Sequence, residues 1–264
     1  MVAEGRRWVV LVAAVALAGC TESVTPSPQA AGPTVTVSLA ATAAGGGPAG
    51  DADLASAAQV LRHRLAAARI DGAQVTAAVG GVRIAVPAGR EQDVRQLAVV
   101  GRLSFRTVLG SMPAGSTHAT ATVAPPGVQP RLEAFDCAAP RQPGTGTVAL
   151  ACDKDRTTKY ALDAPFLAND SITRATVQPP GEQSPTWSIL LDMTDRGGGI
   201  WSQYTTEHVD QQVAIEVDGT VLSAPTIAGP ITGGDTQISG QFTEREALAI
   251  AAVVGSPPLP VVLS

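Results

Sequence analysis

The sequence predicts an α+β fold with a ferredoxin-like β-α-β-β-α-β base subdomain and a second α+β head subdomain. Two observations predict this fold. Strand- and helix-periodic segments follow one another in that order up to residue 109, and a second series of strands and helices lies between residues 155 and 264. A chain of 264 residues is long enough for such cores, which should consist of small apolar side chains because only 3% of the residues are aromatic.

The base is predicted for residues 51–109, joined by a strand that precedes it. Its first helix has one apolar stripe, and Asp51 or Asp53 is expected to cap this helix. Gly80-Gly81 separates two strand patterns as in a tight hairpin. The predicted elements, in chain order, are residues 34–39, 51–70, 74–79, 82–86, 90–100 and 102–109.

The head is predicted for residues 155–264. Asp195 is expected to cap its first helix, and three consecutive glycines at 197–199 weaken the start of that helix. Thr243 and Glu246 have the spacing of a capping box, which predicts the start of a second helix. The predicted elements are residues 172–178, 186–191, 195–209, 213–217, 220–223, 236–239, 243–254 and 261–263. Between base and head, residues 110–154 are rich in Pro and Gly and predict a long irregular insertion.

The N-terminus predicts export and lipid attachment. Arg6 and Arg7 precede an apolar run at residues 8–18, which is too short for a membrane-spanning helix of about 20 residues. The run ends in Leu-Ala-Gly before Cys20, a pattern that resembles the bacterial lipobox. We therefore expect residues 1–19 to be a lipoprotein signal peptide and Cys20 to carry the lipid, including palmitate. The alternative is an ordinary secretory signal with an incidental cysteine.

The residues after Cys20 predict a tether on the outer face of the bacterial cytoplasmic membrane. Residues 21–33 contain Pro, Ser and Gly without apolar periodicity, and a second Gly-rich stretch follows at 43–50. The expected tether is thus residues 20–50, interrupted by the predicted strand. No later segment is long and apolar enough to span a bilayer, so we expect a body that is anchored to the membrane through lipid.

Two further cysteines, Cys137 and Cys152, remain if Cys20 carries lipid. Export would place them where disulfides persist, which predicts a bond between them. Two free thiols are the alternative.

The composition excludes several classes of function. The formal net charge is −5 and no basic face is evident, which argues against nucleic acid as a partner. We expect no catalytic constellation, no metal site and no cofactor, because His63, His118 and His208 do not have metal-ligand spacing and no nucleophile elbow is present. Asp153 and Asp155 lack the remainder of a calcium-binding loop.

Several motifs resemble the large periplasmic domain of SecD, an accessory membrane subunit of bacterial protein export. The resemblance covers about residues 52–264, and the Cys137–Cys152 spacing is similar to that of actinobacterial members. The motifs are Leu61-Arg62-His63-Arg64-Leu65, Leu103-Ser104-Phe105-Arg106, Val217-Asp218-Gly219, Ser223-Ala224-Pro225, Ile231-Thr232-Gly233-Gly234 and Gln237-Ile238-Ser239-Gly240.

The resemblance implies a non-enzymatic module that contacts emerging or unfolded polypeptide, or subunits of the translocon. Its implied partner-contact region lies at Ser223, Ala224 and Pro225 and at Gly233 and Gly234. SecD proper has six transmembrane helices, whereas this sequence shows none of them, so we expect no proton-driven motor activity. The alternative is a structural or interaction lipoprotein of the envelope that reuses the fold without an export role.

Overall fold

The computed structural model describes residues 32–116, 122–139, 147–181 and 184–264. Cys20 and His118 lie outside the described residues. Residues Gly32–Ser264 form one compact unit. Its strands and helices, in chain order, are β1 (Thr34–Ala43), α1 (Asp51–Ala67), β2 (Gln74–Ala78), β3 (Gly81–Pro87), α2 (Glu91–Leu97), β4 (Leu103–Pro113), α3 (Gln129–Ala134), β5 (Ala149–Asp153), β6 (Thr158–Ala168), β7 (Ile172–Gln178), β8 (Trp187–Met193), α4 (Asp195–Glu207), β9 (Val213–Val217), β10 (Thr220–Ser223), β11 (Asp235–Phe242), α5 (Glu244–Val254) and β12 (Val261–Leu263).

The base is a four-stranded antiparallel sheet with the strand order β12-β1-β3-β2. This confirms the predicted α+β class, including the hairpin of β2 and β3, and gives the base its ferredoxin-like strand arrangement. The strand that completes the sheet comes from the far end of the chain, because β12 pairs with β1. β4, which the sequence predicts as a strand of the base, belongs to a barrel. Three consecutive residues of β4, Leu103, Ser104 and Phe105, are buried, so both faces of this strand are covered.

Helix α1 covers one face of this sheet with the predicted apolar stripe. Leu54, Ala58, Leu61 and Leu65 on this stripe are all buried. The expected cap is wrong, because Gly50 occupies the N-cap position and no side chain caps the helix. The acidic residues expected to cap it lie in the first turn, where their charge is favourable next to the helix dipole.

The base is joined to the rest of the fold by Arg64, a fully buried residue on α1. Its guanidinium donates to the carbonyl oxygens of Leu97, Val99, Val100 and Pro257, and to the hydroxyl of Ser256. Burial lowers the pKa of Arg64 to about 10, an effect opposed by the Asp218 carboxylate, so the group is charged at neutral pH. One side chain therefore links α1 to the segments that follow α2 and α5.

The Asp218-Gly219 turn makes a second link, between the barrel and the chain that enters it. As predicted, this turn joins β9 and β10 in a hairpin, with positive φ at both residues. The carboxylate of Asp218 accepts hydrogen bonds from the backbone N–H groups of Gly101 (2.7 Å) and Arg102 (2.9 Å). The turn residue thus fixes the start of β4.

The head contains a closed barrel with the strand order β10-β5-β6-β4-β9. The Pro- and Gly-rich segment contains α3 and the barrel strand β5. This segment is therefore more regular than the expected insertion. Cys137 and Cys152 form the predicted disulfide, with 5.9 Å between their Cα atoms, and it connects the end of α3 to β5. The buried Lys159 on β6 donates to the carbonyl oxygens of Glu133 and Phe135 and so holds the end of α3 against the barrel.

A three-stranded antiparallel sheet, β11-β8-β7, completes the head together with α4 and α5. The predicted capping box at the start of α5 is confirmed, since the side chains of Thr243 and Glu246 each accept a hydrogen bond from the other residue's backbone N–H group. For α4 the expected cap is wrong: Thr194, one residue before Asp195, accepts from the N–H group of Gly197 at 3.0 Å.

Candidate functional site

The predicted partner-contact residues lie at the two ends of one segment of the head. Ser223 is the last residue of β10, and Ala224 packs partly buried against the barrel core. The carbonyl oxygen of Pro225 accepts from the N–H group of Val213. We call residues 224–234, which link β10 to β11, the connector.

At the other end of the connector, Gly233 is exposed, and Gly234 has a φ of +78°. The carbonyl oxygen of Gly234 accepts a hydrogen bond from the N–H group of Met193, 3.1 Å away, at the end of β8. Gly234 therefore lies in a turn with a positive φ, a conformation that glycine adopts without a steric penalty.

The middle of the connector is held against α4. Its Ile231 N–H group donates to the hydroxyl of Thr205, 2.9 Å away, and that hydroxyl in turn donates to the carbonyl oxygen of Trp201. Ile227 is buried and exchanges backbone hydrogen bonds with Asp210 and Gln211. These hydrogen bonds attach the connector to the last part of α4 and to the residues that follow it.

Two of the three consecutive glycines allow α4 to approach its neighbours. A Cβ atom on Gly197 would lie 2.5 Å from the carbonyl oxygen of Ser171, and one on Gly198 would lie 3.2 Å from the Cα atom of Gly234. Nothing lies within 4 Å of such an atom on Gly199. Close packing of the first turn thus accounts for Gly197 and Gly198, whereas Gly199 has space for a side chain.

A stack of half-buried rings runs along the other end of α4. The ring of Tyr204 lies between Phe166 on β6, at a centroid distance of 3.8 Å, and His208, at 4.0 Å, with interplanar angles of 15° and 11°. We call Phe166, Tyr204 and His208 the aromatic column. The column is positioned by the buried Trp201, whose ring contacts Phe105 edge-on at 5.4 Å.

Hydrogen bonds fix the orientation of the column. The hydroxyl of Tyr204 is hydrogen-bonded to that of Thr107 on β4 at 2.8 Å, and Nδ1 of His208 lies 2.9 Å from the Tyr204 carbonyl oxygen. Burial raises the pKa of Tyr204, the hydrogen bond to Thr107 opposes this, and the Asp163 carboxylate raises the pKa further. The Tyr204 hydroxyl is therefore neutral at pH 7. The column presents apolar ring faces with polar groups at their edges.

An open groove of about 260 Å³ begins at Phe166 and runs along the first turn of α4. Its walls mix apolar side chains with backbone and a few polar groups, among them Arg196, which is exposed. The other lining residues are Pro165, Leu167, Ala168, Asp170, Ser171, Thr194 and Ile200. The groove and the column share Phe166 and together present a partly apolar surface beside α4.

The remaining polar clusters of the described residues have structural partners. Glu216, buried on β9, accepts from the Ser104 hydroxyl at 2.6 Å and from Arg106 at 2.8 Å. Across the described ranges, no group of three or more His, Cys, Asp or Glu residues could hold a metal ion. His63 is exposed on α1. Within the same ranges, every helix is too short or too polar to cross a membrane.

Four strands of the barrel, its flanking sheet and α4 lie in a region that is similar to a known domain family. Residues 147–261 match the family model described as the SecDF P1 head subdomain. This part of the chain is therefore similar to a subdomain of SecDF, over somewhat less than half of the sequence.

Several curated relatives of the chain are named SecD. The chain is 36% identical over 116 residues to the "Protein translocase subunit SecD" of Syntrophobacter fumaroxidans, which covers 40% of this chain and 22% of that protein. To the protein of the same name from Mycobacterium tuberculosis it is 36% identical over 117 residues, 42% of this chain and 20% of that protein. With the protein from Magnetococcus marinus, identity is 48% over 81 residues, 30% of this chain and 15% of that protein. The chain thus spans less than a third of the length of these relatives.

Solved structures show the same fold over most of the chain. One, titled "Structure and function of a membrane component SecDF that enhances protein export", aligns with a TM-score of 0.55 and 22% identity, over 87% of this chain and 97% of that one. Another, of SecDF in a "Super-membrane-facing form", aligns with a TM-score of 0.58 and 21% identity, over 87% of this chain and 29% of that one. The structural likeness therefore includes the base as well as the head.

Reasoning from the sequence missed the aromatic column. Its signal was present: Trp201, Tyr204 and His208 follow the three- and four-residue spacing of one helix face. The third ring, Phe166, comes from β6, and no local pattern indicates that this strand packs against α4.

Proposed function

We propose that this chain is an extracytoplasmic, membrane-anchored accessory of protein translocation that binds unfolded or emerging polypeptide through its head. It acts without motor or enzymatic activity of its own. Cys20 would carry the lipid that keeps it at the outer face of the cytoplasmic membrane, and the docking of its partners would take place on that side.

The observation that carries this proposal is the exposed surface along α4, in the domain that matches the SecDF P1 head subdomain. An unfolded chain presents apolar side chains in no fixed order, so its binding surface must accept many of them weakly. Half-buried rings suit this task because they provide large, rigid apolar area at a small cost in side-chain entropy. Phe166 and Tyr204 are held in place before any partner arrives, so little ordering is needed on binding.

The groove beside the column supports the same function. Its walls include Ala168, Ser171 and Ile200, small and apolar residues that would accept an extended segment without selecting a particular sequence. The connector is held against α4 by its hydrogen bond to Thr205. The predicted contact residues Ser223, Ala224 and Pro225, at the start of the connector, would provide further contacts to the partner.

Site-specific photo-crosslinking in living cells tests this function. A photoreactive residue at Arg196, which lines the groove, should crosslink to many secreted proteins in transit or to translocon subunits. The same residue at Gln92, exposed on α2 of the base, serves as a matched control. Replacing both Phe166 and Tyr204 by Ala should reduce the crosslinks from Arg196 several-fold. Labelling of one unrelated envelope protein, or of none, would contradict the export role.

The lipid anchor has a separate test. Cells fed radioactive palmitate should label the wild-type chain, and Cys20→Ser should abolish the label. Labelling of Cys20→Ser at the wild-type level would contradict a lipid at this residue.

A further inference from the structure

A pocket of about 250 Å³ lies where the residues after α1, helix α2 and the first turns of α5 come together. Its apolar wall consists of Ala68, Ile70, Leu97, Leu248 and Ala249. Its charged groups are three arginines and two acids, namely Arg69, Arg90, Arg245, Asp93 and Glu244. The pocket therefore combines an apolar wall with an excess of one positive charge.

The buried carboxylate of Asp93 holds two of the three guanidinium groups. Only 4% of the Asp93 side chain is exposed, and its oxygens contact the Nε atom of Arg90 and, at 3.6 Å, that of Arg245. Both contacts leave the terminal Nη groups of the arginines available. Among the residues that the structure describes, these Nη groups have no hydrogen-bond partner. They can donate to a ligand while Asp93 keeps both side chains in place.

The third arginine, Arg69, has an unusual backbone conformation. Its φ is +55°, in the left-handed region that glycine usually occupies after the end of a helix. A residue with a side chain is sterically disfavoured there. The Arg69 guanidinium lies 3.6 Å from the Glu244 carboxylate, and 73% of the Arg69 side chain is exposed. An arginine at this position thus adds a third guanidinium to the pocket at a steric cost that glycine would avoid.

The pocket lies at the end of the base where β1 begins. The N–H group of Ala88 donates to the carbonyl oxygen of Pro33 at 3.0 Å, and Arg90 follows two residues after Ala88. Residues 21–32 separate Cys20 from Pro33 in the sequence, and a stretch of this length spans at most about 45 Å. A lipid at Cys20 would therefore keep this end of the base close to the membrane surface.

We propose that the pocket binds the headgroup of an anionic phospholipid. The Nη groups of Arg90 and Arg245 would donate to the phosphate oxygens, which the planar guanidinium group binds well. The apolar wall would cover the glycerol and the first methylene groups of the lipid, which a free phosphate ion does not have. This inference rests on the membrane anchoring in the proposed function. It adds a second attachment, which would orient the base on the bilayer.

An acidic peptide fits the pocket less well than a phospholipid headgroup does. Asp93 and Glu244 line the same space as the arginines, so only one positive charge is in excess. A single phosphodiester balances that charge, whereas several carboxylates in a row would be repelled. The surface proposed for polypeptide lies elsewhere, along α4 in the head.

Thermal unfolding of the full chain, purified in an uncharged detergent, tests the site. The probes are dihexanoyl phosphatidylglycerol, which is anionic, and dihexanoyl phosphatidylcholine, which is zwitterionic. The anionic lipid should raise the Tm of the wild type by about 3–5 °C at ten times its Kd, because the pocket exists only in the folded protein. The zwitterionic lipid should have little effect.

Two double variants compare the pocket with the rest of the surface. Arg69→Gln combined with Arg245→Gln should weaken binding of the anionic lipid by about tenfold or more, since both arginines line the pocket. Arg83→Gln combined with Arg95→Gln removes the same charge from exposed positions outside the pocket and should bind like the wild type. Because all four arginines are exposed, both variants should unfold at the wild-type temperature without lipid.

Each outcome decides the inference. No rise in Tm with the anionic lipid, an equal rise with the zwitterionic lipid, or equal binding by the two double variants would overturn the headgroup site. An equal rise with inorganic phosphate would assign the pocket to a free anion, and a larger rise with a glutamate-rich peptide would assign it to polypeptide; either result overturns the proposed lipid.

The palmitate experiment separates this inference from the proposed function. If Cys20 carries the label but the anionic lipid does not stabilise the protein, the anchor stands and the pocket inference fails. If the label is absent while the lipid stabilises the wild type and not the pocket variant, the headgroup site stands and the proposed anchor fails.

Discussion

Replacing Arg64 by Met tests the link between the base and the segments that follow α2 and α5. Met retains most of the apolar contacts of the arginine stem, so the change removes mainly the guanidinium. Five hydrogen bonds are lost, four of them to backbone carbonyl oxygens. An acceptor that is buried without a partner costs about 1–3 kcal/mol. Part of this loss is offset because a desolvated charge disappears as well.

We therefore expect Arg64→Met to lower the free energy of unfolding by about 3–5 kcal/mol. Urea unfolding followed by the fluorescence of the buried Trp201 measures the change. Arg62→Met is the matched control: it lies two residues earlier on the same helix, is exposed and makes a single hydrogen bond, so it should cost less than about 1 kcal/mol. If the two variants lost the same free energy, the idea that the buried guanidinium holds these segments together would be refuted.

Three other predictions follow from contacts in the head. Gly197→Ala should destabilise the protein because the new Cβ atom has no space, whereas Gly199→Ala should stabilise it by up to about 1 kcal/mol through helix propensity; urea unfolding of both variants compares them. Reduction of the Cys137–Cys152 disulfide should lower the free energy of unfolding by about 3 kcal/mol, measured with and without reductant, and an unchanged value would contradict a structural role. The pKa of Tyr204 is raised in the folded state, so the contribution of Tyr204 to stability is complete below pH ~10 and is lost as the pH rises through the folded pKa. Tyr204→Phe should therefore reduce the loss of unfolding free energy at alkaline pH, measured by unfolding at a series of pH values.

Local patterns in the sequence predicted the elements of the fold well. The alternation at the start of β1, the Asp218-Gly219 hairpin and the capping box at Thr243 each depend on residues close together in the chain, and all three are present. Where prediction failed locally, a neighbouring residue had the more suitable backbone position. Thr194 rather than Asp195 caps α4, a difference of one residue that propensity alone does not decide.

The pairing of distant strands could not be read from the sequence. The pattern of β4 is that of a strand, but nothing in it distinguishes a base strand from a barrel strand, since both bury apolar residues. The same limit applies to the candidate site. The rings on α4 have helical spacing, whereas Phe166 reaches them only through the packing of β6 against the helix.

The pairing of β1 with β12 has a consequence for how the chain folds. Ala41 and Leu263 are partners although almost the whole domain lies between them in sequence, so β1 gains this neighbour only after β12 has been synthesised. Contacts of such long range are slow to form because the intervening chain must first be brought together. The barrel and the three-stranded sheet have their partners earlier in the chain and can form first. Strand β1 is thus synthesised early but pairs with β12 late, and folding of the head brings the two strands together.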